Sequence, residues 1–259
     1  MAYKKVKYWI DEELAKLLSD KIVGTETDFP KEQFVTAIAE GISELEFKDR
    51  VELFADELYE AFGADYEKGV YIQLQTLGEE NPNETGMFTE YYWVMPFAKY
   101  VEKYGLAHYE LSIHAMLEIT KRNTSEYAIR PYLEKYTDKT LAKMLDWSKD
   151  ENFHIRRLAS EGGRPRLPWA SKLDIFIEQP QLLFPILDNL KDDPVKFVQK
   201  SVANCVNDVL KDNEAIAKEW IDQWRKGNIS KERKWIIKHA LRKLRKAEEE
   251  WAMEVVSQL

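Results

Sequence analysis

Three segments in the C-terminal half of the chain repeat one pattern, a turn followed by an apolar residue and then basic ones. Phe153-His154-Ile155-Arg156-Arg157-Leu158-Ala159 follows Asp150-Glu151, and Lys196-Phe197-Val198-Gln199-Lys200-Ser201-Val202 follows Asp192-Asp193-Pro194. Aligning Ile155 with Val198 gives an offset of 43 residues. Lys234-Trp235-Ile236-Ile237-Lys238-His239-Ala240 is a third copy, 38 residues beyond the second. A unit of that length cannot bury its own apolar face and must stack on its neighbours. The remaining chain is compatible with helices. Phe34, Ile38, Ile42 and Leu45 recur at helical spacing, as do Val51, Phe54, Ala55, Leu58 and Phe62, and then Ile113, Met116 and Leu117. No sustained alternating run competes with them.

A turn and two helices at a period near 40 are the mark of HEAT-like repeats. The chain is therefore predicted to be all-α, an α-α superhelix (solenoid) of HEAT-like helical repeats with a concave inner face. It reads as a single domain over 1–259, with an acidic helical part at about 1–105 and basic repeats at about 106–250. Gly63, Gly78, Gly105 and Gly162 fall where helices should stop, Pro30 falls where one should start, and Ser125 is placed to cap a helix beginning at Glu126. Equivalent positions on successive second helices line one groove. Here they are Arg157, Lys200 and Lys238.

Charge supports a polyanion on that groove. The chain carries a net −8, but residues 1–100 hold 10 basic and 21 acidic residues, and the rest hold 28 and 25. Residues 231–246 alone hold eight Lys and Arg against one Glu. Repetition of basic positions along one face favours a phosphate track over a merely solvated helix. Other classes recede. No stretch approaches the ~18 apolar residues of a membrane span. The N-terminus lacks an apolar signal core. The single Cys205 sits among apolar residues and reads as an inert core thiol, which suits a reducing, cytoplasmic location. Nucleotide-binding and nucleophile-elbow motifs are missing. Glu110, His114 and Glu118 share a helix face but have no second half with matching spacing, so no metal is expected. The aromatic residues Tyr91, Tyr92, Trp93, Phe97 and Tyr100 read as core.

The densest chemistry lies in His154–Trp169, HIRRLASEGGRPRLPW, where Arg156, Arg157, Arg164 and Arg166 surround one acid, Glu161. Guanidinium groups match phosphate bidentately. Arg157 and Glu161 are four residues apart and can pair on one helix face. Asp208 lies on the second helix of the next repeat, and Glu126 opens the segment Ser125–Pro131. Each acid also has a structural reading: an ion pair for Glu161, an inter-repeat hydrogen bond for Asp208, and a favourable helix-dipole position for Glu126.

These three segments, Ser125–Pro131, His154–Trp169 and Ser201–Val209, together resemble the HEAT-like DNA alkylation-repair glycosylases of the AlkC/AlkD superfamily, and most closely the AlkC branch. The SEGxRPRLPW motif is specific to that branch, and the resemblance covers roughly Phe34 to Lys246. It implies excision of cationic N-alkylated purines, especially 3-methyladenine, from double-stranded DNA by a metal-free and cofactor-free monomer that does not bury a flipped base in a pocket. It places the catalytic carboxylates at Glu126, Glu161 and Asp208, and the active-site arginines at Arg157 and Arg164, with a tryptophan at Trp169. Arg130, Arg166, Lys200 and Lys238 complete the expected DNA-contacting set. The chain ends soon after its third repeat, and the resemblance then implies a form without the C-terminal Ig-like β-sandwich module of some relatives.

The chemistry is consistent with that assignment. A cationic base leaves readily, so the protein must stabilise positive charge on the sugar and deliver water to C1′. Glu161 and Asp208 are expected to do this, with Glu126 near the lesion, Arg157 and Arg164 holding Glu161 and flanking phosphates, and Trp169 packing on the deoxyribose or anchoring its loop. The alternatives are a DNA-structure-binding solenoid without hydrolysis and a protein-interaction scaffold.

Overall fold

In the computed structural model, which describes residues 4–86 and 88–259, the acidic turns are where the repeats begin. Asp150 Oδ1 accepts from Asn152 N at 2.8 Å, and its equivalent, Asp193 Oδ1, accepts from Val195 N at 2.9 Å. Each turn feeds a helix, Phe153–Glu161 and Lys196–Asp212. Ser230 caps the third, Lys231–Ala240, by accepting from Arg233 N at 3.0 Å. Such caps contribute about 1 kcal/mol each by satisfying an end N–H. The turns also lock repeat to repeat: Arg156 donates to Asp193, and Arg233 to Asp192.

The chain forms two compact units, Met1–Pro131 and Tyr132–Leu259. Described elements are all helical in both, and no described helix is long and apolar enough to cross a membrane. In the C-terminal unit the three repeat helices pack side by side in chain order, the middle one touching both others. The register residues Ile155, Val198 and Ile236 are buried, as are Ala159, Val202 and Ala240 one helical turn on. Small residues at the second register bring the backbones close enough for Asn207 Nδ2 to reach the Ala240 carbonyl at 2.7 Å. Thr137–Trp147 backs the first repeat helix, while Phe184–Leu190 and Glu214–Trp224 both pack on the middle one. Phe184 stacks on Trp220, and Asp188 accepts from the indole N–H of Trp220 and of Trp224. Cys205 is fully buried.

The N-terminal unit is built on Glu12–Val23, Lys31–Gly41, Phe47–Ala61, Tyr66–Thr76, Met95–Tyr104 and Tyr109–Thr120. Its centre is aromatic. Tyr66 stacks on Tyr100, which also meets Phe62, while Trp93 and Phe97 are buried as expected of core residues. Gly69 is required there, because a Cβ would lie 2.1 Å from the Tyr100 hydroxyl. One boundary differs from expectation. Ser125 does not cap a helix from Glu126. Its hydroxyl donates to the Met116 carbonyl at 3.0 Å, residues 126–129 form a turn, and the helix begins at Arg130. Pro131 explains the shift, since proline has no N–H to give and is tolerated only in the first turn.

Candidate functional site

The helix carrying Arg156 and Arg157 stops at Glu161, and the chain then turns back through Gly162 and Gly163. Neither glycine is left-handed: Gly162 caps the helix at φ −62°. Gly163 is there for space, because a Cβ would lie 2.9 Å from Leu183 Cδ2 and 3.2 Å from Met144 Cε. That close approach brings Arg164 back beneath the helix end. Its Nη1 donates to Glu161 Oε1 at 2.7 Å and its Nε to Asp208 Oδ2 at 2.9 Å. One guanidinium therefore bridges two acids from adjacent repeats. Asp208 Oδ1 takes a further bond from Lys211 Nζ at 2.9 Å, and Arg157 Nη2 lies 3.6 Å from Glu161 Oε1. Both acids are buried, with Glu161 5% and Asp208 1% exposed. Burial by itself would raise the Glu161 pKa. The charges of Arg157 and Arg164 and a hydrogen bond from Ser201 outweigh it and hold the carboxyl below the usual glutamate range. Burial likewise disfavours the Arg164 cation, but the two carboxylates reverse that and raise its pKa.

The other expected residues separate by partner. Arg156 is committed to Asp193 and to the carbonyls of Asp150 and Glu151. Arg166 forms a bidentate pair with Asp212. Arg157 lies over the Phe197 ring, 4.4 Å from its centroid. Lys200 is exposed and Lys238 half-buried, and no described carboxylate pairs with either. Trp169 is 66% exposed and sits at φ +65°. Ala170 N bonds to the Leu167 carbonyl at 3.2 Å, so Leu167-Pro168-Trp169-Ala170 is a type II turn with tryptophan where glycine is usual. The fixed φ of Pro168 favours the turn, and the turn points a large aromatic into solvent. Two residues belong to the N-terminal unit. Glu126 is half-buried in its turn, with Thr124 donating to its Oε2 at 2.9 Å. Arg130 is buried at 4% exposure, which does not fit the surface phosphate ligand expected of it.

Sequence reasoning missed Lys211 and Ser201, which hold the acids, and Asn204 and Arg242. The last two were legible in the repeat. Counting 43 and then 38 residues on from Glu161 arrives at Asn204 and Arg242, and Arg242 Nη2 donates to Asn204 Oδ1 at 2.9 Å.

Stacked helix pairs carrying two buried acids on one arginine define a helical-repeat protein with a paired-carboxylate site. The model of the DNA alkylation repair enzyme family matches residues 107–244. Over 98% of its length the chain superposes with a TM-score of 0.88 on an alkylpurine DNA glycosylase, AlkC of Pseudomonas fluorescens, solved bound to DNA containing an abasic site analog. The two are 31% identical, and 68% of that chain is covered. YhaZ of Bacillus subtilis is 37% identical over 244 residues, 94% of this chain, and the chain spans 65% of YhaZ. The chain belongs to the DNA alkylation repair enzyme family.

Proposed function

We propose that this protein is a DNA glycosylase that hydrolyses the N-glycosidic bond of cationic N-alkylated purines, of the 3-methyladenine type, in double-stranded DNA. The observation that carries the reading is the Glu161–Arg164–Asp208 bridge in a member of a family whose solved relative is an alkylpurine DNA glycosylase. A base that is already cationic departs as a neutral molecule, so no acid need protonate it. The barrier lies in the positive charge that grows on the sugar, and preorganised anions lower it without reorganising at the moment of reaction. Glu161, ionised at neutral pH by its arginines, is suited to that task. A carboxylate of lowered pKa is a weak general base. That suffices here, because an oxocarbenium-like carbon needs water oriented more than activated.

Asp208 acts behind Glu161. Both of its oxygens are engaged, and it fixes Arg164, which in turn fixes Glu161. Arg157, with its looser 3.6 Å contact to Glu161, is the arginine positioned to turn to a phosphate as DNA docks. Trp169 packs on the sugar face of the lesion. Glu126 is a separate assignment, tested by its own variant. No metal or cofactor is required, and the acting species is a monomer.

Release of 3-methyladenine from methylated duplex DNA tests the reading. The purified protein is expected to release it, and Glu161→Gln to lower the rate at saturating DNA at least 100-fold with affinity largely kept. Glu126→Gln reports on the third carboxylate in the same assay. Failure of the unaltered protein to release base refutes the function. Full release by Glu161→Gln refutes the mechanism. The deep burial of both acids favours one second reading, a DNA-structure-binding protein without hydrolysis. Salt-dependent binding with no base release would select it.

A further inference from the structure

Arg156, Arg164, Arg166, Arg225 and Arg233 each donate to a carboxylate. Arg242 does not. Its Nη1 donates to the His239 carbonyl at 2.7 Å and its Nη2 to Asn204 Oδ1 at 2.9 Å, and both acceptors are neutral. A guanidinium has five N–H donors, so three are left without an acceptor among the described residues. The side chain is half-buried and held at two points, which costs rotamer entropy in advance and leaves a fixed fork. Its surroundings are cationic. Burial comes first in holding His239 below its ordinary value, followed by the charges of Arg242, Lys200 and Lys196. Of these, Lys196 also feels Glu232 and lies over Trp235, which stacks on His239. Arg242 itself lies within electrostatic reach of Arg164 and Asp208. A guanidinium held in place among like charges, with no carboxylate bonded to it, is ready to take an anion.

We infer that Arg242, clamped by Asn204 and the His239 carbonyl, is the ligand of one DNA backbone phosphate next to the Glu161–Arg164–Asp208 bridge. Lys200, on the helix that carries Asn204, and Lys238, on the helix that ends just before Arg242, extend the cationic surface. The repeat accounts for the arrangement: one register position carries the acid in the first repeat, the clamp in the second and the phosphate ligand in the third. This inference rests on DNA being the ligand, and it assigns no step of base release to Arg242.

The test is equilibrium binding of an unmodified duplex and a methylated duplex across a series of salt concentrations. Each phosphate contact contributes about 0.9 to the slope of log K against log salt. Arg242→Gln is expected to reduce the slope by about one on both duplexes, and Arg242→Lys to retain most of it. Asn204→Asp places a carboxylate against the guanidinium without removing it and is expected to reduce the slope similarly. Melting temperatures establish which variants fold, and Asn204→Asp decides if Arg242→Gln does not. An unchanged slope in the folded variants overturns the inference. Reduced slope in a protein that releases no base refutes the glycosylase reading and leaves this one standing. Release of base with an unchanged slope does the reverse, and absence of all DNA binding by the unaltered protein overturns both.

Discussion

Replacing Arg164 by methionine removes the guanidinium that joins Glu161 to Asp208 and keeps much of the side-chain volume. Arg164, Glu161 and Asp208 are all buried. Deleting one partner of a buried pair costs about 3–5 kcal/mol, because the charge left behind is uncompensated. Here two carboxylates lose a partner, which raises the figure. Lys211, 2.9 Å from Asp208, and Arg157, 3.6 Å from Glu161, remain and lower it again. The net expectation is about 3–5 kcal/mol, or about 6–20 °C in Tm for a chain of this length. Glu161→Gln, which keeps the Arg164–Asp208 bond, should cost only about 1–2 kcal/mol. The sign of the pH dependence follows from Glu161. Its folded pKa lies below the unfolded one, so its ionisation contributes stability that is present above the unfolded value near pH ~4.3 and is lost as pH falls through the folded value. In Arg164→Met that contribution shrinks, so the gap between the two proteins should narrow between pH 7 and pH ~3, below the unfolded value. Urea unfolding followed by far-UV circular dichroism at both pH values measures it. A variant within about 1 kcal/mol of the parent at pH 7, or a gap independent of pH, would refute the reasoning.

Trp169→Gly should relieve about 1–2 kcal/mol of left-handed strain while lowering base release, a gain in Tm with a loss of activity read on the same preparation. Gly163→Ala should destabilise by about 1–3 kcal/mol, because its Cβ must displace Leu183 or Met144, and calorimetry would show it. Arg156→Gln should lower stability by breaking the buried Asp193 pair yet leave the salt slope of DNA binding unchanged; a reduced slope would show that Arg156 also meets phosphate.

The sequence by itself determined the repeat helices and their register. Ile155, Val198 and Ile236 were aligned by a period alone, and all three are buried, because a residue's place on a helix face depends only on its spacing along the chain. The likeness of His154–Trp169 to a repair family was legible for a related reason: the motif is contiguous. What the arginines do was legible only in part: Arg164 was expected beside Glu161, but its bond to Asp208 was not foreseen. The spacing of Arg157 and Glu161 suggested an i, i+4 pair, and that contact is the long one at 3.6 Å, whereas Arg164, beyond the helix end, makes the 2.7 Å bond. Arg156 and Arg166 look equally ready for phosphate in the sequence, yet each is taken by an aspartate of the next repeat. Arg242, one charge of the basic run 231–246, is held by two neutral acceptors, the His239 carbonyl and Asn204. Helical spacing reaches only about one turn. Pairs 37 to 46 residues apart, such as Arg156–Asp193, Arg164–Asp208 and Arg166–Asp212, depend on how one helix stacks on the next. That offset is set by buried small residues and by the space left at Gly163, so tertiary packing decided which charges are bound within the protein and which remain for a ligand.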